Sequence, residues 1–174
     1  MLIRETARLI IRQLTIEDAP FILQLLNTPT WITFIGNRNI NGLGDARNYL
    51  VNGPLSSYSQ HGFGLYLVYL KEENIPIGMT GLIKRATLDD VDLGFAFLPE
   101  YTGKGYAAEA AEAVLDYAKQ TLGLPRIVAI VMTQNTSSTA LLNKLGLRYE
   151  KMILLPGDDA ELMYFRLDFP LAES

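Results

Sequence analysis

Three strand-like runs in succession, leading into one long helix and then a nearly unbroken apolar run, narrow the possible folds of this chain more than any other feature. Residues 63–70 and 75–83 are aromatic and β-branched on either side of a polar turn. Residues 91–98 follow the turn Thr87-Leu88-Asp89-Asp90, so the three runs predict an antiparallel meander, which Pro99 ends. Over 103–122, Ala108, Ala111, Leu115, Ala118 and Leu122 recur at helical spacing, with Glu109, Glu112, Asp116 and Lys119 off that face. Gly123-Leu124-Pro125 stops this helix, and residues 126–132 then read as a strand covered on both faces.

The flanks add smaller elements. Residues 8–14 alternate as a strand, and Thr15 with Asp18 three residues later signals a short helix through Leu25 or Leu26. Residues 28–44 carry Pro29, Trp31, Gly36 and three asparagines and predict a loop or broken helix. A second helix is expected from Asp45 to about Val51, resuming at Pro54. Residues 135–145 predict a short amphipathic helix ended by Gly146, and two strands, about 147–155 and 161–168, flank the turn Pro156-Gly157-Asp158-Asp159. No repeat or composition shift marks a linker, so residues 1–174 are expected to form one domain. At 49% hydrophobic residues there is material to fill its core.

Composition removes much chemistry. The chain has no cysteine, which excludes disulfides, thiolate metal sites and cysteine nucleophiles. Its single histidine, His61, excludes a multi-histidine centre, and no metal is expected. Fifteen basic residues against nineteen acidic ones give a net charge of −4 without a long block of either sign, so no nucleic-acid partner is expected. No apolar run approaches the roughly 20 residues of a membrane span. With no export signal at the start, a cytoplasmic location follows as an expectation. Nothing in the sequence separates a monomer from a homodimer.

The segment between the third meander strand and the long helix, Thr102-Gly103-Lys104-Gly105-Tyr106-Ala107, carries the chemistry. Glycines allow close backbone approach, and the free N–H groups of a helix's first turn suit a phosphate or pyrophosphate. No acidic side chain stands between Thr102 and Ala108, although first turns usually attract one. A Gly-x-Gly at a helix start is also found as a plain strand-to-helix turn. The segment lacks the Gly-Lys-Ser/Thr ending of a P-loop and the third glycine of a dinucleotide fingerprint.

Element order and motifs together resemble the GNAT superfamily of acyl-coenzyme A-dependent N-acetyltransferases, over nearly the whole chain. Within it the sequence is most similar to the branch named after enzymes that acetylate ribosomal-protein amino termini. The resemblance rests on Arg8-Leu9-Ile10-Ile11-Arg12 with Glu17-Asp18-Ala19, on Asp92-Leu93-Gly94-Phe95-Ala96-Phe97-Leu98-Pro99-Glu100-Tyr101, on the glycine loop, and on Asn135-Thr136-Ser137-Ser138 with Leu141 and Lys144-Leu145-Gly146-Leu147. Thr102 departs from the family's Gln or Arg, and Leu142 falls where many members place a tyrosine that protonates the departing thiolate.

The resemblance implies an α+β (mixed α/β) fold with a mostly antiparallel, twisted sheet of about seven strands, flanked by helices and splayed between the fourth and fifth. It implies acetyl-CoA as cosubstrate and direct transfer of the acetyl group to a primary amine of a peptide N-terminus or small molecule. By the same resemblance, Gly103, Lys104, Gly105, Tyr106 and Ala107 bind the pyrophosphate, main-chain groups of Phe97 and Leu98 pair with the pantetheine arm, and Asn135 bonds that arm. Asp92 is the implied base, with Glu100 as second choice, and Ser138 the implied proton donor. Trp31, Arg38, Tyr49 and His61 lie in the half where such folds form the acceptor pocket. The net charge fits a cationic amine but is too ordinary to argue specificity. Leu142 at the position of that tyrosine leaves open a non-catalytic acyl-CoA-binding sensor or interaction module.

Overall fold

The chain opens on a hairpin of β1 (Leu2–Glu5) and β2 (Leu9–Gln13), and β2 in turn pairs with the first strand of the meander, β3 (Leu65–Leu70). The computed structural model describes residues 1–170, so the last four residues of the expected domain lie outside the described residues. The meander continues through β4 (Ile75–Ile83) and β5 (Asp92–Phe97), followed by β6 (Arg126–Val131), β7 (Arg148–Ile153) and β8 (Leu162–Asp168). All eight strands form one sheet in the order β1-β2-β3-β4-β5-β6-β8-β7. The count exceeds the expected seven by β1, a four-residue strand that buries Ile3 and covers the outer edge of β2.

Alternation of side chains divides the core in two. Tyr66, Val68 and Leu70 of β3 enter one cluster and Leu67 enters the other. In β4, Ile77 and Met79 lie two residues apart yet belong to opposite clusters. The register explains this: Val68 faces Gly78 and Tyr69 faces Pro76, so Ile77 is the extra residue of a bulge and reverses the facing of the strand before it.

On one face lies the long helix predicted from the alanine stripe. Ala110, Ala111, Val114 and Ala118 are wholly buried there, their short side chains letting the helix (residues 106–120) pack close to the sheet. The other face is covered by α1 (Ala19–Leu26), α2 (Pro29–Phe34) and α3 (Leu43–Leu50). Thr15 and Asp18 form the expected capping box, and Asp18 also takes both terminal nitrogens of Arg12, at 3.0 and 2.8 Å. Residues 28–44 form α2, a loop and the first two residues of α3, which starts at Leu43 and not at the expected Asp45. After α3 the backbone widens into a π turn over Val51–Leu55, where Pro54 cannot donate to the helical ladder, and then continues as α4 (Ser56–His61). The long helix is thus α5 (Tyr106–Gln120), and the short one after β6 is α6 (Thr136–Lys144). Among the described residues, no helix is long and apolar enough to cross a membrane.

Candidate active site

The only parallel pair among the described residues, β5 with β6, is joined at a single register pair, Asp92 opposite Val128, with the Val128 N–H donating to the Val91 carbonyl at 3.0 Å. Beyond that point the strands part. Their C-terminal ends open a wedge, and each leads into a helix whose N-terminus stands at its mouth: α5 after β5, α6 after β6.

Leu98 donates its N–H to the Ile77 carbonyl of β4 at 2.9 Å. Backbone groups alternate sides along a strand, so those of Phe95 and Phe97 face away from β4, into the wedge. Phe97 therefore has main-chain groups free to meet an extended ligand arm. Leu98 does not share this position: its N–H is used by β4 and its side chain is in the core, 5% exposed.

The glycine loop is an irregular turn made possible by Gly103 and Gly105, at φ +74° and +83°, a left-handed conformation that side chains disfavour. The first intrahelical bond of α5 runs from the Glu109 N–H to the Gly105 carbonyl, leaving the N–H groups of Tyr106, Ala107 and Ala108 without helical partners. Thr102 turns its hydroxyl onto the Pro99 carbonyl at 2.8 Å. The Lys104 side chain lies over the Tyr101 ring, 5.8 Å from its centroid.

Two residues that hold this loop are absent from the sequence-derived site. Arg8 donates to the Lys104 carbonyl at 3.0 Å and to Glu109 at 2.8 Å, and its guanidinium covers the Tyr106 ring at 4.4 Å. Glu109 also accepts from Thr6 at 2.6 Å and from the Arg8 N–H at 3.0 Å. Partial burial pushes the Glu109 carboxyl up, but these donors outweigh it and hold it below the ordinary range.

On the opposite wall, Asn135 caps α6 by accepting from the Ser138 N–H at 3.2 Å. That leaves its amide NH2 free, so capping and ligand contact are compatible in one side chain. Leu142 is fully buried in the core.

Two cavities occupy the wedge. The first, about 280 Å3, is lined by Phe97, Gly103, Gly105, Tyr106, Ala107, Asn135 and Ser138 among others. Lys104 is not among its walls. The second, about 150 Å3, reaches inward to Asp92. Trp31, Phe95, Ala96, Asn135 and Ser138 wall both, so the two adjoin, one at the glycine loop and the other at Asp92. Arg38 and Tyr49 line the inner cavity, while His61 lies on a neighbouring one and stacks on Phe63 at 5.7 Å. Trp31 is at once core and wall: it is 5% exposed, and its Nε1 has no hydrogen-bond partner.

Asp92 is not a solvent-facing carboxylate. Its side chain is 2% exposed and its Oδ2 accepts from Arg85 Nε at 2.6 Å. Among the described residues, no donor reaches Oδ1. Burial pushes the carboxyl up from the ordinary range, and Arg85 and Lys84 only partly offset this. Glu100 is exposed on the turn before the glycine loop and lines neither cavity. Arg85 also escaped sequence reading, although a signal existed. In the β4–β5 register Ile83 faces Asp92, which puts Arg85 two residues further on the same face, within diagonal reach.

Known proteins share this architecture. An N-acetyltransferase of Bacillus subtilis, YoaA, whose role is uncharacterised, is 29% identical over 153 residues, 87% of this chain and 85% of its own. The crystal structure of an acetyltransferase from Agrobacterium tumefaciens superposes with a TM-score of 0.81 at 28% identity, covering 97% of this chain and 95% of that one. RimL, a ribosomal α-N-protein acetyltransferase solved in complex with coenzyme A, shares the fold with a TM-score of 0.81 at 16% identity, over 97% and 98% of the two chains. The acetyltransferase (GNAT) domain model matches residues 8–148, from the arginine that braces the glycine loop to the start of β7, and on that match the chain belongs to the GNAT acetyltransferase family.

Proposed function

We propose that the protein is an acetyl-CoA-dependent N-acetyltransferase that transfers the acetyl group directly to a primary amine. The observation that carries this is that the cavity at the glycine loop adjoins the one at Asp92, with walls shared at Asn135 and Ser138. The outer cavity fits the cosubstrate. Unpartnered N–H groups at the start of α5 suit its pyrophosphate, Phe97 main-chain groups and the Asn135 amide suit its pantetheine arm, and bound acetyl-CoA supplies the activated acetyl group.

In this reading the free Oδ1 of Asp92 accepts a proton from the acceptor ammonium, and burial makes that carboxylate a stronger base than an exposed one. A main-chain N–H of β5 facing the wedge stabilises the oxyanion. Ser138, on both cavity walls, passes a proton to the departing thiolate, through water because a serine hydroxyl is a weak acid. With no cysteine in the chain, an acyl-cysteine intermediate is excluded. The lack of cysteine also suits a reducing compartment, and we assign the protein to the cytoplasm.

Titration calorimetry tests the first half: acetyl-CoA binds, and Gly105→Glu abolishes binding. Thiol release over a panel of amines and peptides tests the second. A non-catalytic acyl-CoA sensor, favoured by Leu142 being sealed in the core, would bind acetyl-CoA and release no thiol with any amine.

A further inference from the structure

The acceptor side of the wedge carries a charge opposite to that of the whole chain. The inner cavity adjoins another of about 290 Å3, the two sharing Arg38, Tyr49 and Arg85 as walls. Among the described residues, the ionised walls of both are Arg38, Lys84 and Arg85 against Asp92, a local excess of positive charge in a chain of net −4. His61, on the outer cavity, can only add to it.

These charges are not equivalent. Arg85 and Asp92 neutralise each other at 2.6 Å. Lys84 places its ammonium on the carbonyls of Arg85 and Leu88, at 3.2 and 2.5 Å, which fixes its position without cancelling its charge. Arg38 is exposed, lines both cavities, and makes neither an ion pair nor a hydrogen bond among the described residues, so its planar fork of donors is available to a ligand. Beside it, burial pushes the Tyr49 phenol up, and Arg38 offsets this only in part, so the phenol remains a neutral donor. An acceptor with a second ammonium would set like charges together here, whereas a carboxylate would meet the unpaired Arg38 in the added field of Lys84.

We infer that the acceptor amine carries a carboxylate, held by Arg38 at the junction of the two cavities while the amine reaches Asp92. This rests on the acetyltransferase reading above. The net charge of −4 argues no specificity, and the inference rests instead on the local field, which is what faces the substrate. A free amino acid and the amino terminus of a peptide with an acidic side chain share this chemistry.

Thiol release with acetyl-CoA is measured on primary amines matched except for carboxylate against carboxamide. One arm uses free amino acids and the other short peptides differing in the acidic side chain. In at least one arm kcat/KM favours the carboxylate by about tenfold or more. Arg38→Gln reduces that preference below about threefold, and Arg38→Lys restores part of it. Equal rates within every pair, a preference for diamines, or an unchanged preference in Arg38→Gln overturns the inference. If no amine releases thiol, the transfer reading falls, and calorimetry on the coenzyme A-saturated protein decides the remainder. Binding of the amines that needs both carboxylate and Arg38 sustains the recognition site, and absence of such binding overturns it.

Discussion

Arg85 and Asp92 form an ion pair of unequal members, and this predicts an order of damage that a simple contact count would reverse. Asp92 is 2% exposed and Arg85 is 36% exposed, so only the carboxylate depends on its partner for compensation. Breaking a fully buried pair costs about 3–5 kcal/mol, because a charge is stranded without solvent. Arg85→Met strands Asp92, and with a third of the arginine already in water the expected loss is about 2–3 kcal/mol. Asp92→Asn removes the buried charge itself, keeps an oxygen that can accept from Arg85, and leaves an arginine able to turn to solvent. Its expected loss is about 1 kcal/mol or less.

The pH dependence separates the two further. The Asp92 carboxyl is raised in the fold, so its contribution to stability is fully present below the unfolded carboxylate pKa and is lost as pH rises through the folded value. Without Arg85, which lowers it, the folded value climbs and the loss extends toward neutrality. Urea unfolding of both variants and the wild type, at neutral pH and at mildly acidic pH, reads the outcome. Arg85→Met should be the weaker protein at neutral pH and close much of its gap on acidification, while Asp92→Asn lacks the titrating group and falls further behind the wild type. A larger loss in Asp92→Asn, or a gap in Arg85→Met that does not respond to pH, would refute the claim that the carboxylate is the dependent partner.

Asp92→Asn should also lower amine-dependent thiol release by about 100-fold while acetyl-CoA binding, followed by calorimetry, is retained. Gly105→Glu forces a side chain into φ +83° and sets a carboxylate at the helix start, so acetyl-CoA affinity should fall at least about tenfold; unchanged affinity would show that the loop does not bind the pyrophosphate. Glu109→Gln weakens the bonds from Thr6 and Arg8, and with Arg8 44% exposed the stability loss should be about 1 kcal/mol, accompanied by weaker acetyl-CoA binding. Ser138→Ala should cut thiol release by about 100-fold if the hydroxyl carries a proton, and a change under about threefold would leave Ser138 only its place in the wall.

The elements legible in advance were those whose physics is local. The alanine stripe of α5, the apolar run of β6 and the capping box at Thr15 each declare themselves within one or two turns of chain. The elements that blurred depend on distant partners. β1 becomes a strand because β2 offers an edge, and the six-residue α2 forms within a stretch of turn residues because Trp31 is drawn into the core. The bulge at Ile77 has no local signature: both the residue and its neighbours suit a strand, and only the demands of two cores decide which way it faces.

For the site the same division separates the cosubstrate half from the acceptor half. The glycine loop and the Asn135–Ser138 segment are contiguous, so their chemistry can be read in a few residues. The proposed acceptor wall is assembled from Trp31, Arg38, Tyr49, Arg85 and Asp92, drawn from a helix, a loop, a second helix, the connection after β4 and the start of β5. No spacing rule joins them. What joins them is the parting of β5 from β6 at Asp92: a sheet that continued pairing beyond Val128 would fill the wedge with hydrogen bonds, leaving Arg38 no cavity to face and Asp92 no approach for a substrate. The single register pair therefore opens the wedge and also sets its inner end at an ionisable group, so that extending the parallel pairing would remove the proposed binding and the proposed chemistry together.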